Sequence, residues 1–235
     1  MKRIFAILTF ISIILLSSCQ VTENIIISDG ENTSESDIIV YDFFIDVLND
    51  FSAFVSDESQ DESIMDAAVR GFADGLASNP DNSNIIYTKG SGNEYKLSFD
   101  FKSISNALSA LNGAEGNSVL KEGENSLSFY LDINNYVELK EMIPFLADPN
   151  FEVYGPEYNQ GMSEADYLDM IYYLLGEEAP DAISSSMIDI NITTPGEIVS
   201  SEGVTVTGSN TCTYSFPLID FLLLSEPMAF SISWN

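Results

Sequence analysis

Histidine is absent from the 235 residues. Its absence excludes Ser-His-Asp and Cys-His catalysis, most zinc sites and the usual near-neutral general base. Basic residues are scarce: 8 Lys and Arg stand against 37 Asp and Glu, for a formal charge of −29. Nucleic-acid binding draws on Lys and Arg to displace counterions, so nucleic acid is excluded as a partner. Docking to anionic headgroups is disfavoured for the same reason. The surplus of acid suits a cationic protein partner or plain solubility. Cysteine is limited to Cys19 and Cys212, too few for a disulfide framework. Glycine-rich phosphate loops are missing: Lys89-Gly90-Ser91-Gly92 follows an apolar stretch but lacks the P-loop order.

What is present begins at the front. Lys2 and Arg3 precede an apolar run from Ile4 to Leu16, and Leu16-Ser17-Ser18-Cys19 follows. A basic start, a short apolar stretch and a small-residue exit make a secretory signal. The run is shorter than the roughly 20 residues of a membrane span. With a cysteine at the cut site, the segment resembles a bacterial lipoprotein signal. The resemblance implies removal of residues 1–18, diacylglycerol on the Cys19 sulfur and acylation of the new amine. It places residues 19–235 in the bacterial cell envelope, on the periplasmic face or the cell surface, joined to the membrane through acylated Cys19. Gln20 follows, so the Asp retention signal of some bacteria is missing and both membranes stay open. Removing residues 1–18 leaves six basic residues against 37 acidic ones, a charge of −31. Cys212 then has no partner. The alternation around it, Cys212, Tyr214 and Phe216, makes it a small buried apolar residue.

Apolar content of 45% with 11 Tyr and 15 Phe over the full 235 residues predicts a sizeable core rather than disorder. Residues 19–24 are expected to form a short tether. Ile25–Ile27, with a turn at Asp29-Gly30, predicts a strand and a second short one. From Ser36-Asp37 the steps Val40, Phe44, Val47, Leu48, Phe51 and Val55 predict a helix, and Ile64, Ala68, Phe72 and Leu76 a second. Hairpins are expected over 84–101, turning at Lys89–Asn93, and over 118–133, turning at Glu122-Gly123-Glu124. Helices are expected near Ser103, over 135–147 and after Ser163, where Asp166 completes a cap. Beyond Pro180 the chain reads as β-rich, apart from a short helix after Pro217. It closes on the alternating Met228, Phe230, Ile232 and Trp234. Hairpins separated by helices give a single α+β domain, with a mostly antiparallel sheet and helices packed on one face.

In this order the segments Leu97–Phe101, Leu108–Asn112, Thr194–Gly203, Tyr214–Leu218 and Phe230–Trp234 resemble the LppM-type bacterial lipoprotein domain, in the version carried by many spirochaete lipoproteins. That resemblance covers most of the chain after Cys19. It implies an α/β fold reminiscent of small lipid-binding domains and an association with membrane glycolipids. The leading expectation is a non-enzymatic, lipid-anchored module that binds or scaffolds a ligand. It has no catalytic residues, no cofactor and no metal, and its only modified site residue is Cys19. The alternatives are lipid binding in an apolar cavity lined by Phe99, Phe101, Phe129 and Leu131, and a hydrolase built on paired carboxylates. A serine nucleophile in this chain would need lysine as its base. Calcium is the one metal suited to the composition, at Asp57-Glu58 with Asp61-Glu62 or along Asp29–Asp37; neither stretch has the EF-hand order. Tyr41, Phe43 and Phe44, and the pair Tyr172-Tyr173, are expected in the core.

Overall fold

The structure, a computed structural model, describes residues 19–40, 64–107, 118–142 and 152–235. It is α+β, with two mostly antiparallel sheets and the helices gathered beside them.

The first described element is strand β1 (Cys19–Ile26), and the chain then turns at Asp29-Gly30 into β2 (Asn32–Val40), its antiparallel neighbour. The Ser28 N–H donates to Asn32 Oδ1 at 3.0 Å and the Gly30 N–H to Ser28 Oγ at 3.2 Å, fixing the turn. Helix α1 (Ile64–Ala77) leads to the hairpin of β3 (Asn82–Lys89) and β4 (Glu94–Phe101). After the short α2 (Ile104–Ala107) come the hairpin β5 (Leu120–Gly123) and β6 (Ser126–Leu131), then α3 (Tyr136–Met142). Helices α4 (Glu164–Leu175) and α5 (Ala179–Ser185) precede β7 (Met187–Thr193). Then follow β8 (Ile198–Glu202), β9 (Thr205–Val206), β10 (Thr211–Pro217), α6 (Leu218–Leu223) and β11 (Met228–Trp234).

The larger sheet runs β3-β4-β2-β1-β7-β10-β9, with β1 and β7 parallel. The smaller runs β5-β6-β11-β8. The pleat sends Tyr95, Leu97, Phe99 and Phe101 of β4 and Ile188, Ile190 and Ile192 of β7 inward, and polar Lys96, Asp37 and Asp189 to the other face. The inward face of the large sheet meets the small sheet in one apolar cluster, which holds Phe101, Leu127, Ile192, Cys212, Phe230 and Trp234. A second cluster joins α3, α4, α5 and α6 around Tyr136, Tyr167, Ile171, Ile183 and Leu222. Phe129, Ile190 and Phe216 touch both, so the clusters form one continuous interior. Phe129 stacks on Phe230 with ring centroids 5.7 Å apart.

Five expectations change. A single sheet was expected and two are found: Leu224 in the left-handed region (φ 43) ends α6 and turns the chain, so β11 pairs with β6 and β8 instead of β10. Residues 19–24 are no tether, because β1 pairs with β2 from Cys19 onward and with β7 from Val21. The helix expected from Ser36 does not begin there. Ile38, Ile39 and Val40 are β-branched and sit in β2 against β4 and β1; the rest of that predicted helix lies outside the described residues. Helix α5 interrupts the stretch read as β-rich, with Pro180 in its first turn and Ile183 buried. Finally, Tyr172 and Tyr173 are 48% and 84% exposed, on the solvent face of α4.

The remaining elements follow their sequence signals. Ser163 Oγ accepts from the Asp166 N–H at 3.2 Å and caps α4. The last strand reaches the C-terminus, and the Asn235 N–H donates to Glu197 O at 3.2 Å. Gly203 has φ +75, and a Cβ there would stand 2.3 Å from the Ala229 carbonyl oxygen. The β8–β9 turn therefore requires glycine.

Candidate functional site

Strand β1 is the centre of the large sheet and carries both residues of functional interest. Its alternation puts Val21, Glu23, Ile25 and then Ile27 on the inward face. Across the sheet, Glu23 lies opposite Ser36 of β2 and Ile190 of β7, and Ile25 opposite Ser34 and Ile192. A carboxyl is thus inserted into an otherwise apolar row. Ser34 Oγ donates to Glu23 Oε1 at 2.5 Å, and Ser36 Oγ donates to Oε2.

Glu23 keeps a strip of exposed surface as a residue. The density of protein around its carboxyl, not that strip, governs its ionisation. Burial pushes its pKa up, the two serine hydroxyls pull it back, and the charges of Glu35 and Asp37 add to the rise. This carboxyl holds its proton to higher pH than an exposed glutamate. Sequence reasoning missed it because residues 20–35 look uniformly polar; the legible signal was Val21-x-Glu23-x-Ile25-x-Ile27. The sign of the linkage is fixed. A raised folded pKa stabilises the fold below the unfolded value, and that contribution is lost as pH rises through the folded value. Glu23→Gln therefore gains stability relative to the native chain as pH rises. The gain vanishes at acid pH. Chemical denaturation of both proteins across pH 3 to 8 reads the difference; a gap independent of pH contradicts the assignment.

Cys19, the predicted lipidation residue, opens β1 opposite Val40. The four side chains assigned to an apolar cavity do not share one hollow. Phe99 and Phe101 pack in the inter-sheet cluster, Leu131 in the helical one, and Phe129 between them. A cleft of about 350 Å³ opens beside β10, α6 and the start of β11, lined by Tyr214, Phe216, Asp220, Leu223, Glu226 and Met228 among others. Burial raises the Tyr214 pKa, the Asp220 carboxylate adds to the rise, and a hydrogen bond with the Ala229 backbone opposes it.

The acids of Asp29–Asp37 spread along a turn and a strand. Among the described residues no three His, Cys, Asp or Glu converge as metal ligands. Asp57-Glu58, Asp61-Glu62, Tyr41, Phe43 and Phe44 lie outside the described residues. The spacing Ser118-Val119-Leu120-Lys121 matches a serine–lysine pattern, but the serine is otherwise engaged: Ser118 Oγ donates to Glu138 Oε1 at 2.9 Å, while Lys121 is exposed on β5. Cys212 is free and buried, and burial raises its thiol pKa.

No protein-family model and no curated protein matches the chain.

The cations among the described residues are largely occupied. Lys89 meets Asp66, Lys96 meets Asp37, Lys102 meets Asp81, and Lys140 meets Glu152 and Glu157. Among the described residues no helix is long and apolar enough to cross a membrane.

Proposed function

We propose that this chain is a bacterial envelope lipoprotein of the LppM type. In this reading residues 1–18 are removed, Cys19 is acylated, and residues 19–235 are a non-enzymatic module that binds or scaffolds a ligand at the membrane. The observation that carries it is the meeting of two signals at one residue. The basic, apolar and small-residue pattern ends in Leu16-Ser17-Ser18-Cys19, and the sheet already includes Cys19. The acyl chains supply the membrane attachment, since about two chains make a stable anchor without help from the polypeptide.

The non-enzymatic part rests on the packing. The candidate apolar residues fill clusters, the Ser118 hydroxyl is bound to a carboxylate, and the Glu23 carboxyl is spent on two serines. The anchor is tested by producing the full chain in a bacterium and washing the membranes at high pH. The protein stays with the membranes and enters solution only with detergent; release by the wash contradicts the reading. The extracted protein is then offered a panel of esters and glycans. No turnover is expected, and hydrolysis abolished by an acid-to-amide change would overturn the non-enzymatic assignment.

A further inference from the structure

We infer that the acylated domain sits flush on the lipid surface, with the Cys19 end of the large sheet against zwitterionic headgroups and the Asp29-Gly30 end pointing away. The inference rests on acylation of Cys19, proposed above, and adds the docking surface and its orientation.

No tether separates Cys19 from the sheet. Cys19 is hydrogen-bonded into the sheet beside Val40, and Val21 pairs with Ile188 in β7. An acyl group on Cys19 therefore fixes the height of the strands around it. Val40 lies level with Cys19, and its N–H donates to Asn93 O at 3.0 Å, which brings the β3–β4 turn (residues 90–93) to the same level. Met187, paired with Pro217, is about one residue deeper. At roughly 3.3 Å per residue, all of these fall within the few ångströms of the headgroup layer. The Asp29-Gly30 turn, at the far end of the eight-residue β1, is carried roughly 25 Å further out.

Charge is unevenly distributed along the strands. Within two residues of the Cys19 level, the described strands and turn offer Lys89 and Glu94, of opposite sign, and Lys89 also meets Asp66 of α1 at 3.1 Å. Exposed apolar Ile39 and Met187 lie there too. The far end gathers Asp29, Glu31, Asp81 and Asp100 against Lys102. Helices α5 and α6 adjoin β7 and β10 at this end and add Asp181 and Asp220, so the contact suits headgroups of no net charge rather than anionic ones.

The test uses the acylated full-length product, reconstituted into phosphatidylcholine vesicles that contain a headgroup spin-labelled phosphatidylcholine. A fluorophore is attached through Ser91→Cys in one variant and Asp29→Cys in another; both are exposed turn positions, and Cys212 is buried. The Ser91 probe is expected to be quenched several-fold more than the Asp29 probe. Ten Gly/Ser residues inserted after Cys19, spanning roughly 17 Å, should erase the contrast while the protein stays on the vesicles. Equal quenching without the insert overturns the flush orientation and leaves the lipoprotein reading intact. Failure to bind vesicles at all overturns both.

Discussion

Cys19→Ser removes the protein from the detergent phase. In the proposed processing serine offers no thiol for the thioether, and without the diacylglycerol the second acylation has no substrate. Each buried CH₂ of an acyl chain contributes about 0.8 kcal/mol to membrane attachment, so losing the chains forfeits far more than any side-chain contact could supply. The formal charge of residues 19–235, −31, repels anionic lipid, and no described helix is long and apolar enough to span. The expected result is complete loss of fatty acyl label and a shift from the detergent to the aqueous phase on phase partition. Cys19 lies at the start of its strand, so melting of the soluble variant should match that of the detergent-solubilised native domain. Persistent acyl label on the variant would mean that another residue carries the lipid.

The largest stability effect is expected at Tyr167. Its ring is fully buried where α4 meets α3, α5 and α6, and its hydroxyl donates to Tyr154 O at 2.9 Å. Burial drives its pKa well above the usual tyrosine range, with Tyr154 and Tyr136 adding to the rise, so it stays neutral at every working pH. Tyr167→Ala opens a cavity under four helices and should cost about 3–5 kcal/mol, the range for large aromatic truncations. Tyr167→Phe keeps the ring and strands one carbonyl, and should cost about 1 kcal/mol. Urea unfolding of the two variants measures both. Equal effects would show that the hydroxyl, not the ring, dominates.

How far the sequence spoke depends on whether the signal was local. The hairpins at Lys89–Asn93 and Glu122–Glu124 were legible because strict alternation meets a glycine turn. The Ser163 cap was legible because its two partners are three residues apart. Partition into two sheets was not, since it depends on Leu224 turning the chain away from β10. Nor was the fate of Glu23, whose surroundings come from Ser36 and Ile190, one strand away on either side. The same holds for Tyr172 and Tyr173: the apolar stripe of α4 turns Tyr167 and Ile171 inward and leaves that pair in solvent. Cys19 was named from a motif, while its place at the head of a central strand needed the long-range pairings with Val40 and β7.

The most direct test of the account is the intact mass of the chain extracted from bacterial membranes. The predicted mass is that of residues 19–235 plus a diacylglycerol and one further acyl group, with fragmentation placing the lipid on Cys19. A product that retains Met1, or one that begins at Cys19 without fatty acyl mass, contradicts it.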